Sequence, residues 1–421
     1  MEFQRFTLDN GLRIIGVPMS GIRTASLGLW VDSGSIYETK AQNGISHFIE
    51  HMLFKGTYKR SAKQIAQEMD AVGGLLNAFT DVENTCFYTR VLSEHIPLAM
   101  DMISDLVLNS RLDLDDIEKE KGVVLEEISM AEDTPDDLVF ELLNQAQFPS
   151  SRLSRPVLGS ARNVKSFTRD DIAGYMSRRY RPEGAVLAMA GNYDWDAFIS
   201  QAKCLYGGWQ PLGKKRPVFG APKAAPRILR KSKDIEQIHI CIGFPGPKAG
   251  EKSNYAWSIL SSILGGSQSS RLFQSIREER GLAYSVYSSI GSTLSAGMFF
   301  VYAGASPNNS GKVVKVINDE IEQIASKGVT LQEFEMAKQQ TLSQLIMGME
   351  LSSSRMKLAG RRLLMLDQTL SLEEMSSGFK RVTLEDVNAL AAGLASAPRS
   401  AALVGAGVDG VSDCLLRDES C

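Results

Sequence analysis

The chain has 421 residues, of which 43% are hydrophobic and 23% charged, and its formal net charge is -3. This balance argues against a general nucleic-acid binder, because phosphate recognition needs an excess of clustered basic residues. No stretch of 18 apolar residues occurs, and Met1 to Asn10 lacks the basic and apolar regions of a signal peptide. We therefore expect a soluble, cytoplasmic protein with no membrane span.

The length is sufficient for two or three domains with large buried cores. The cysteines are scattered and form no C-x-x-C pair, so we expect reduced thiols that take no part in metal binding. They are Cys86, Cys204, Cys241, Cys414 and Cys421.

The first informative segment is His47-Phe48-Ile49-Glu50-His51, which reads H-x-x-E-H. On a helix, residues four apart are neighbours, so His47 and His51 can present ring nitrogens to one metal ion while Glu50 stays beside it. The alternative is a buried helix whose histidines are satisfied by backbone or water. Three ionisable groups on one face of an otherwise apolar helix favour a divalent metal instead.

A catalytic zinc ion needs a third protein ligand and an open fourth position. The best donor segment is a predicted long helix from about Leu114 to Gln147. Glu120 and Glu127 are seven residues apart in it and therefore lie on one stripe, two turns apart. Spacing alone does not choose between them.

Each half of the chain mixes alternating, strand-like segments with amphipathic helices. This mixture predicts an α+β fold in which a mainly antiparallel sheet has helices packed on one face. The predicted strands are Thr24–Val31, Ile238–Phe244 and Met298–Ala303, and the predicted helices are Ala62–Val72, Pro97–Asn109 and Lys312–Ala325.

The two halves resemble each other. Residues 114–119 align with residues 331–336 at an offset of 217, and residues 170–172 align with residues 385–387 at an offset of 215. Two copies of one domain of about 210 residues follow from this self-similarity.

The duplication divides the chain into a catalytic, zinc-binding domain (1–210), a linker (211–226) rich in glycine and proline, and a second domain (227–421). The second domain contains no counterpart of the H-x-x-E-H segment. In the 217 register Ala337 and Gln344 replace Glu120 and Glu127. We therefore expect the second domain to have the fold without the metal.

A glycine- and serine-rich segment runs from Ile263 to Arg271 and opens a helix. A phosphate-binding loop is one interpretation of such a segment. However, it lacks the G-K-[ST] ending and does not fit G-x-G-x-x-G, so nucleotide binding is disfavoured.

The sequence resembles the pitrilysin/insulinase family of zinc metallopeptidases, and is closest to the branch that resembles the mitochondrial processing peptidase. The likeness covers nearly the whole chain, with the motifs in the family's order and spacing. Its most specific segments are Gly44–Thr57, Asn77–Thr80, Val123–Glu127 and Arg277–Tyr284.

The resemblance implies one zinc ion per chain, held by His47, His51 and Glu127. It implies that Glu50 is the catalytic base. Glu120 matches a supporting carboxylate that orients the site without binding the metal.

Further residues match family positions that handle the substrate. Arg277 and Tyr284, from the metal-free domain, match a catalytic pair that stabilises the substrate carbonyl as it becomes an oxyanion. Asn77, Ala78 and Phe79 lie in a segment, Gly73–Thr80, that looks like the family's edge strand. The backbone of such a strand can bind an extended peptide by β-augmentation.

The predicted function is therefore zinc-dependent endopeptidase activity on unfolded peptides or presequence-like segments. The alternative is a non-catalytic partner or scaffold subunit of a processing-peptidase-like heterodimer. The resemblance to family members of similar length also implies a homodimer or a heterodimer with a related subunit. No nucleic-acid partner is expected.

Overall fold

The computed structural model describes residues 3–213, 216–222 and 227–413, and both halves contain a sheet and a set of helices. The strands are β1 (Gln4–Thr7), β2 (Arg13–Pro18), β3 (Thr24–Val31), β4 (Leu75–Thr80), β5 (Thr85–Leu92), β6 (Ala185–Gly191), β7 (Ile228–Ser232), β8 (Ile238–Gly246), β9 (Ala283–Ser292), β10 (Gly297–Ala305) and β11 (Ser400–Gly405). The helices of the first half are α1 (Ile45–Leu53), α2 (Ala62–Ala71), α3 (Ile96–Asn109), α4 (Leu114–Asp133), α5 (Pro135–Gln147), α6 (Ala161–Ser166), α7 (Arg169–Arg179) and α8 (Trp195–Tyr206). Those of the second half are α9 (Asn254–Gly265), α10 (Ser310–Lys327), α11 (Leu331–Gly348), α12 (Ser352–Leu366), α13 (Leu372–Arg381) and α14 (Leu384–Ser396).

The two sheets share one five-strand arrangement, in which β2-β6-β3-β5-β4 of the first corresponds to β7-β11-β8-β10-β9 of the second, and the first sheet has β1 in addition. The first has the strand order β1-β2-β6-β3-β5-β4 and the second has the order β7-β11-β8-β10-β9. In each, one pair is parallel (β2 with β6, β7 with β11) and the remaining neighbours are antiparallel. The predicted α+β fold of two related domains is thus confirmed.

The chain folds into two compact units, each assembled from separate segments. Unit 1 contains Met1–Ser129, Pro156–Val218 and Ile346–Glu373, and unit 2 contains Met130–Arg155, Phe219–Leu345 and Glu374–Cys421. The chain crosses from unit 1 to unit 2 between Val218 and Phe219, which lie within the predicted linker 211–226. Residues 214–215 and 223–226 of that linker are outside the described part of the chain. A division into contiguous halves did not anticipate the exchanged segments.

One helix of each sequence half belongs to the unit built mainly from the other half. In unit 1, α12 packs against β2, β3 and β6, and in unit 2, α5 packs against β7, β8 and β11. These helices begin at Pro135 and Ser352, 217 residues apart, and so occupy equivalent positions in the two copies. The exchange is therefore reciprocal.

The exchanged helix covers a second face of each sheet, beyond the single helix-covered face predicted from the sequence. In unit 1, β3 presents Leu27, Leu29 and Val31 to the core that includes α1 and α3. Its alternate residues contact α12 in three pairs, which are Ser26 with Ser352, Gly28 with Met356 and Trp30 with Gly360. Because both faces are covered, β3 is buried along nearly its whole length.

The predicted long helix from Leu114 to Gln147 is wrong at its centre, because the structure has two helices there. The break falls at Thr134, before Pro135. Proline has no N–H to donate within a helix but is well tolerated at the first helical position, so it starts α5 instead of continuing α4. The other predicted helices and strands agree with the observed bounds to within two residues.

Of the predicted thiols, Cys86 and Cys241 are buried and Cys204 is exposed, and all three are free. Cys414 and Cys421 lie outside the described residues. Among the residues described, every helix is too short or too polar to cross a bilayer.

The contact between Trp30 and Gly360 yields a test of the exchanged helix. A Cβ added at Gly360 would overlap the buried indole nitrogen of Trp30 and lie 2.5 Å from its Cδ1. We expect Gly360→Ala to lower the free energy of unfolding by about 1–3 kcal/mol, as overpacking does. Urea unfolding followed by circular dichroism measures the change.

Gly122→Ala is the matched control, because Gly122 is also helical, lies in unit 1 and has nothing within 4 Å of its added Cβ. Replacing a helical glycine by alanine there should stabilise the protein by about 1 kcal/mol. Equal unfolding midpoints for Gly360→Ala and the wild type would contradict the close packing of α12 on β3.

Candidate metal centre

Helix α1 is fixed at its start by a buried carboxylate. The two oxygens of Glu38 accept hydrogen bonds from the backbone N–H groups of Gly44 (2.8 Å) and Ser46 (2.9 Å). These N–H groups have no partner within the helix, so an acceptor there stabilises the first turn. The apolar side of α1, including Phe48, Ile49 and Met52, is buried in the core of unit 1. The opposite side is thereby held in a defined orientation.

That side carries the two predicted histidine ligands. Nε2 of His47 lies 3.2 Å from Nε2 of His51. Oε2 of Glu127, on α4, lies 3.7 Å from the first nitrogen and 3.3 Å from the second. Among the described residues, these three side chains form the cluster whose ligand atoms are close enough together to hold a metal ion.

The spacing of the three atoms fits a tetrahedral zinc ion. With metal–ligand bonds of about 2.0–2.1 Å, tetrahedral ligand atoms are about 3.3 Å apart. The observed separations of 3.2 Å, 3.3 Å and 3.7 Å are close to this value. The donor set of two imidazoles and one carboxylate is also one that zinc uses in hydrolytic sites. His47, His51 and Glu127 could therefore hold zinc with one position left open.

Glu120, the other candidate, occupies a different place. Its side chain is 4% exposed, and its Oε1 lies 2.8 Å from Nδ1 of His51, the nitrogen on the far side of the ring from Glu127. Its Oε2 lies 2.5 Å from Nζ of Lys55. Burial alone would raise the pKa of Glu120, but hydrogen bonds from His51 and Lys55 outweigh it and the pKa is lowered. The carboxylate can thus orient His51 without reaching the metal position.

The two histidines have different electrostatic surroundings. Burial, assisted by the nearby His51, lowers the pKa of His47 to about 4, so His47 is neutral at physiological pH. Burial would also lower the pKa of His51, but the hydrogen bond to Glu120 and the charges of Glu127 and Glu50 raise it overall. Nδ1 of His47 is buried without a hydrogen-bond partner among the described residues.

Glu50 lies on α1 one turn after His47, and the ligand group does not include it. Its Oε2 accepts a hydrogen bond of 2.5 Å from the hydroxyl of Thr80, at the end of β4. Burial, and to a lesser extent the charge of Glu127, raises the pKa of Glu50 despite the opposing effects of Thr80 and His51. A carboxylate with a raised pKa is suited to accepting a proton near neutral pH.

Strand β4, which contains the predicted peptide-binding residues, is the last strand of its sheet. The N–H of Ala78 donates to the side chain of its neighbour Asn77 (2.8 Å), which is exposed. Phe79 packs edge-on against Trp30, with ring centroids 5.5 Å apart. Within the described part of the chain β4 pairs with β5 alone, so its other edge is free of strand partners, and the strand ends beside Glu50.

Arg277 and Tyr284 lie together in unit 2. The guanidinium carbon of Arg277 is 4.7 Å from the centroid of the Tyr284 ring and 4.8 Å from that of Phe273. Tyr284 is 73% exposed. The role of this pair at the metal centre stays a prediction.

Two residues that contact the site were missed from the sequence, Thr80 and Lys55. Thr80 directly follows the predicted substrate residues, and alternation along the strand places it on the opposite face from Phe79. Lys55 follows His51 by four residues, which is the spacing of neighbours on one helical stripe. The i+4 spacing was the available signal, but a lysine after a helix is usually solvated.

Comparisons with known proteins find similar sequences over nearly the whole chain. Residues 18–161 match the family described as insulinase (peptidase family M16), and residues 166–341 match the peptidase M16 inactive domain. An uncharacterized zinc protease of Bacillus subtilis is 38% identical over 95% of this chain and 98% of its own length. Another, from Mycobacterium bovis, is 42% identical over 96% of this chain and 93% of its own length.

Solved structures agree on the fold. The crystal structure of a protease from Helicobacter pylori superposes with a TM-score of 0.89 at 20% identity, covering 96% of this chain and 99% of the other. A peptidase M16 inactive domain from Pseudomonas fluorescens gives a TM-score of 0.88 at 19% identity, covering 97% and 98% respectively.

The position of Glu127 generates a prediction about metal affinity. Glu127→Gln removes a charged oxygen ligand, so the Kd for Zn²⁺ should rise at least about tenfold. Competition with a chromophoric chelator measures this Kd. Glu126→Gln is the matched control, since Glu126 is exposed on the same helix and lies outside the ligand group. A Glu127→Gln protein that binds zinc as tightly as the Glu126→Gln protein would exclude Glu127 as a ligand.

Proposed function

The chain belongs to the insulinase family of peptidases (M16), and on this premise we propose that it is a zinc-dependent endopeptidase. Its proposed substrates are unfolded peptides or presequence-like segments, and it holds one zinc ion per chain. The observation that carries the proposal is the convergence of His47 and His51 on α1 with Glu127 on α4, and the presence of Glu50 on α1 between the two histidines.

In the proposed mechanism, Glu50 is the general base. Zinc, when bound, supplies Lewis acidity, which lowers the pKa of a water ligand towards neutrality and polarises a peptide carbonyl. Glu50 accepts a proton from the attacking water as the water oxygen bonds to the carbonyl carbon. It then delivers that proton to the amide nitrogen as the C–N bond breaks. Thr80 holds the Glu50 carboxylate in place through its hydrogen bond.

Arg277 and Tyr284 are proposed to act on the carbonyl oxygen. A guanidinium and a phenol can both donate hydrogen bonds to an oxygen on which negative charge develops. The contact between the two side chains supports their acting as one unit.

The free edge of β4 is the proposed peptide-binding element. An extended peptide pairing with the backbone at Asn77, Ala78 and Phe79 would form an additional strand. Main-chain pairing tolerates many side chains, which suits a peptidase acting on varied unfolded segments. Association into a homodimer, or with a related subunit, is part of the same proposal.

Replacing Glu50 by glutamine tests the mechanism. The amide cannot accept the water's proton, so kcat should fall by about 10²–10⁴ while the zinc content stays at that of the wild type. Cleavage of a quenched fluorescent peptide library, together with metal analysis of the purified protein, gives both quantities. Glu126→Gln should retain wild-type activity.

A Glu50→Gln protein that cleaves peptides at the wild-type rate would refute Glu50 as the base. If the wild type instead binds stoichiometric zinc yet hydrolyses no peptide, the alternative of a non-catalytic partner subunit is favoured. A chelator should abolish activity in the wild type, and added zinc should restore it.

The proposed carbonyl contacts predict a separate kinetic pattern. Tyr284→Phe removes only a hydroxyl, so kcat/KM should fall about tenfold or more while the Kd for zinc is unchanged. Tyr287→Phe is a matched control on the same strand, β9. Equal kcat/KM values for the two variants would remove Tyr284 from the mechanism.

A further inference from the structure

We propose that Lys55 is a positioning residue of the metal centre, which acts by fixing the Glu120 carboxylate against His51. The inference rests on the proposed zinc site and adds a residue to which no role at that site has been assigned. It follows from two linked contacts between α4 and the end of α1, from the burial of the residues that make them, and from their positions in the chain.

The first link is the ion pair itself. Nζ of Lys55 lies 2.5 Å from Oε2 of Glu120, while Oε1 of the same carboxylate lies 2.8 Å from Nδ1 of His51. Each oxygen therefore has its own partner. A carboxylate held at both oxygens cannot rotate without losing one of the two contacts.

Burial distinguishes this pair from an ordinary surface ion pair. Exposed pairs contribute little because water screens them and long side chains lose entropy on pairing. The Glu120 side chain, however, is only 4% exposed and that of Lys55 is 35% exposed. Loss of the lysine would leave a buried carboxylate oxygen without its cation, which is costly.

The positions of these residues in the chain connect the ion pair to the metal ligands. Glu120 and the ligand Glu127 lie on the same helix, α4, two turns apart, while Lys55 lies four residues after the ligand His51, just beyond the end of α1 at Leu53. The contacts of Glu120 with His51 and Lys55 thus tie α4 to α1 and to the turn that follows it. That arrangement sets the distance from Glu127 to the two imidazoles. Lys55 therefore supports both the orientation of His51 and the position of Glu127.

Substitution of Lys55 by methionine, which keeps most of the chain length without the charge, tests the proposal. Groups that orient metal ligands typically contribute about 10–100-fold to metal affinity. We expect the Kd for Zn²⁺, measured by chelator competition, to rise about tenfold in Lys55→Met. Lys55→Arg, which keeps a cation, should stay within about threefold of the wild type.

Lys59→Met is the matched control, because Nζ of Lys59 pairs at 2.7 Å with Asp101, outside the metal centre. Its zinc Kd should equal that of the wild type. Thermal unfolding of each metal-free variant establishes that the protein is folded, so that a change in affinity reflects the site. If Lys55→Met does not fold, Lys55→Gln, which also lacks the charge, replaces it with the same expected rise in the zinc Kd.

A double-mutant cycle separates a role through Glu120 from a general effect of charge. If Lys55 acts through Glu120, Lys55→Met should change the zinc Kd less than about twofold when Glu120 is already glutamine. Additive losses, or an unchanged Kd in Lys55→Met, would overturn the proposal. Failure of the wild type to bind zinc would instead refute the proposed function, so the two outcomes are distinguishable.

Discussion

The metal centre depends on the cost of burying ionisable groups together. His47, Glu50, His51 and Glu120 are all largely withdrawn from water at one place, and a buried charge without a partner is strongly unfavourable. The chain meets this cost with specific pairs, Thr80 for Glu50 and Glu120 for His51. Nε2 of His47, Nε2 of His51 and Oε2 of Glu127 then face one another at the spacing of zinc ligands. The same electrostatic requirement therefore explains why these groups have specific partners and why two imidazoles and a carboxylate at this spacing suit a divalent ion.

The fold supplies the rigid elements that make these pairs possible. Helix α1 is held by its apolar side in the core and by Glu38 at its start, so its polar side has little freedom. Helix α4 brings Glu120 and Glu127 from a distant part of the sequence. Strand β4 ends at Thr80, and this links the sheet edge directly to the proposed catalytic base. A change in the position of any one element would alter the site.

The sequence predicted those features of the fold and of the site that depend only on helical spacing or on the internal repeat. Helical spacing correctly brought His47 and His51 together, and the repeat of 217 residues anticipated two sheets that share a five-strand order. Spacing could not choose between Glu120 and Glu127, because residues seven apart share a stripe, and only the family resemblance favoured Glu127 as the ligand. The exchange of α5 and α12 was also beyond prediction, since an amphipathic helix has the same pattern whichever sheet it covers. Pro135 marks the break between α4 and α5, because proline favours the start of a helix over its interior. The alternation of polar and apolar residues continues across the break and does not show it.

The reciprocal exchange of α5 and α12 has a consequence for the origin of the chain. If the first copy folded alone, the sheet face that carries Trp30 would be exposed to solvent, because α12, which covers that face, belongs to the other copy. An unduplicated ancestor would meet this need as a symmetric, helix-swapped dimer, and gene fusion would turn that association into an intramolecular one. Selection can then relax every ligand position in one copy while retaining its helix. Each copy then needs the helix of the other to cover its sheet, whichever copy binds a metal.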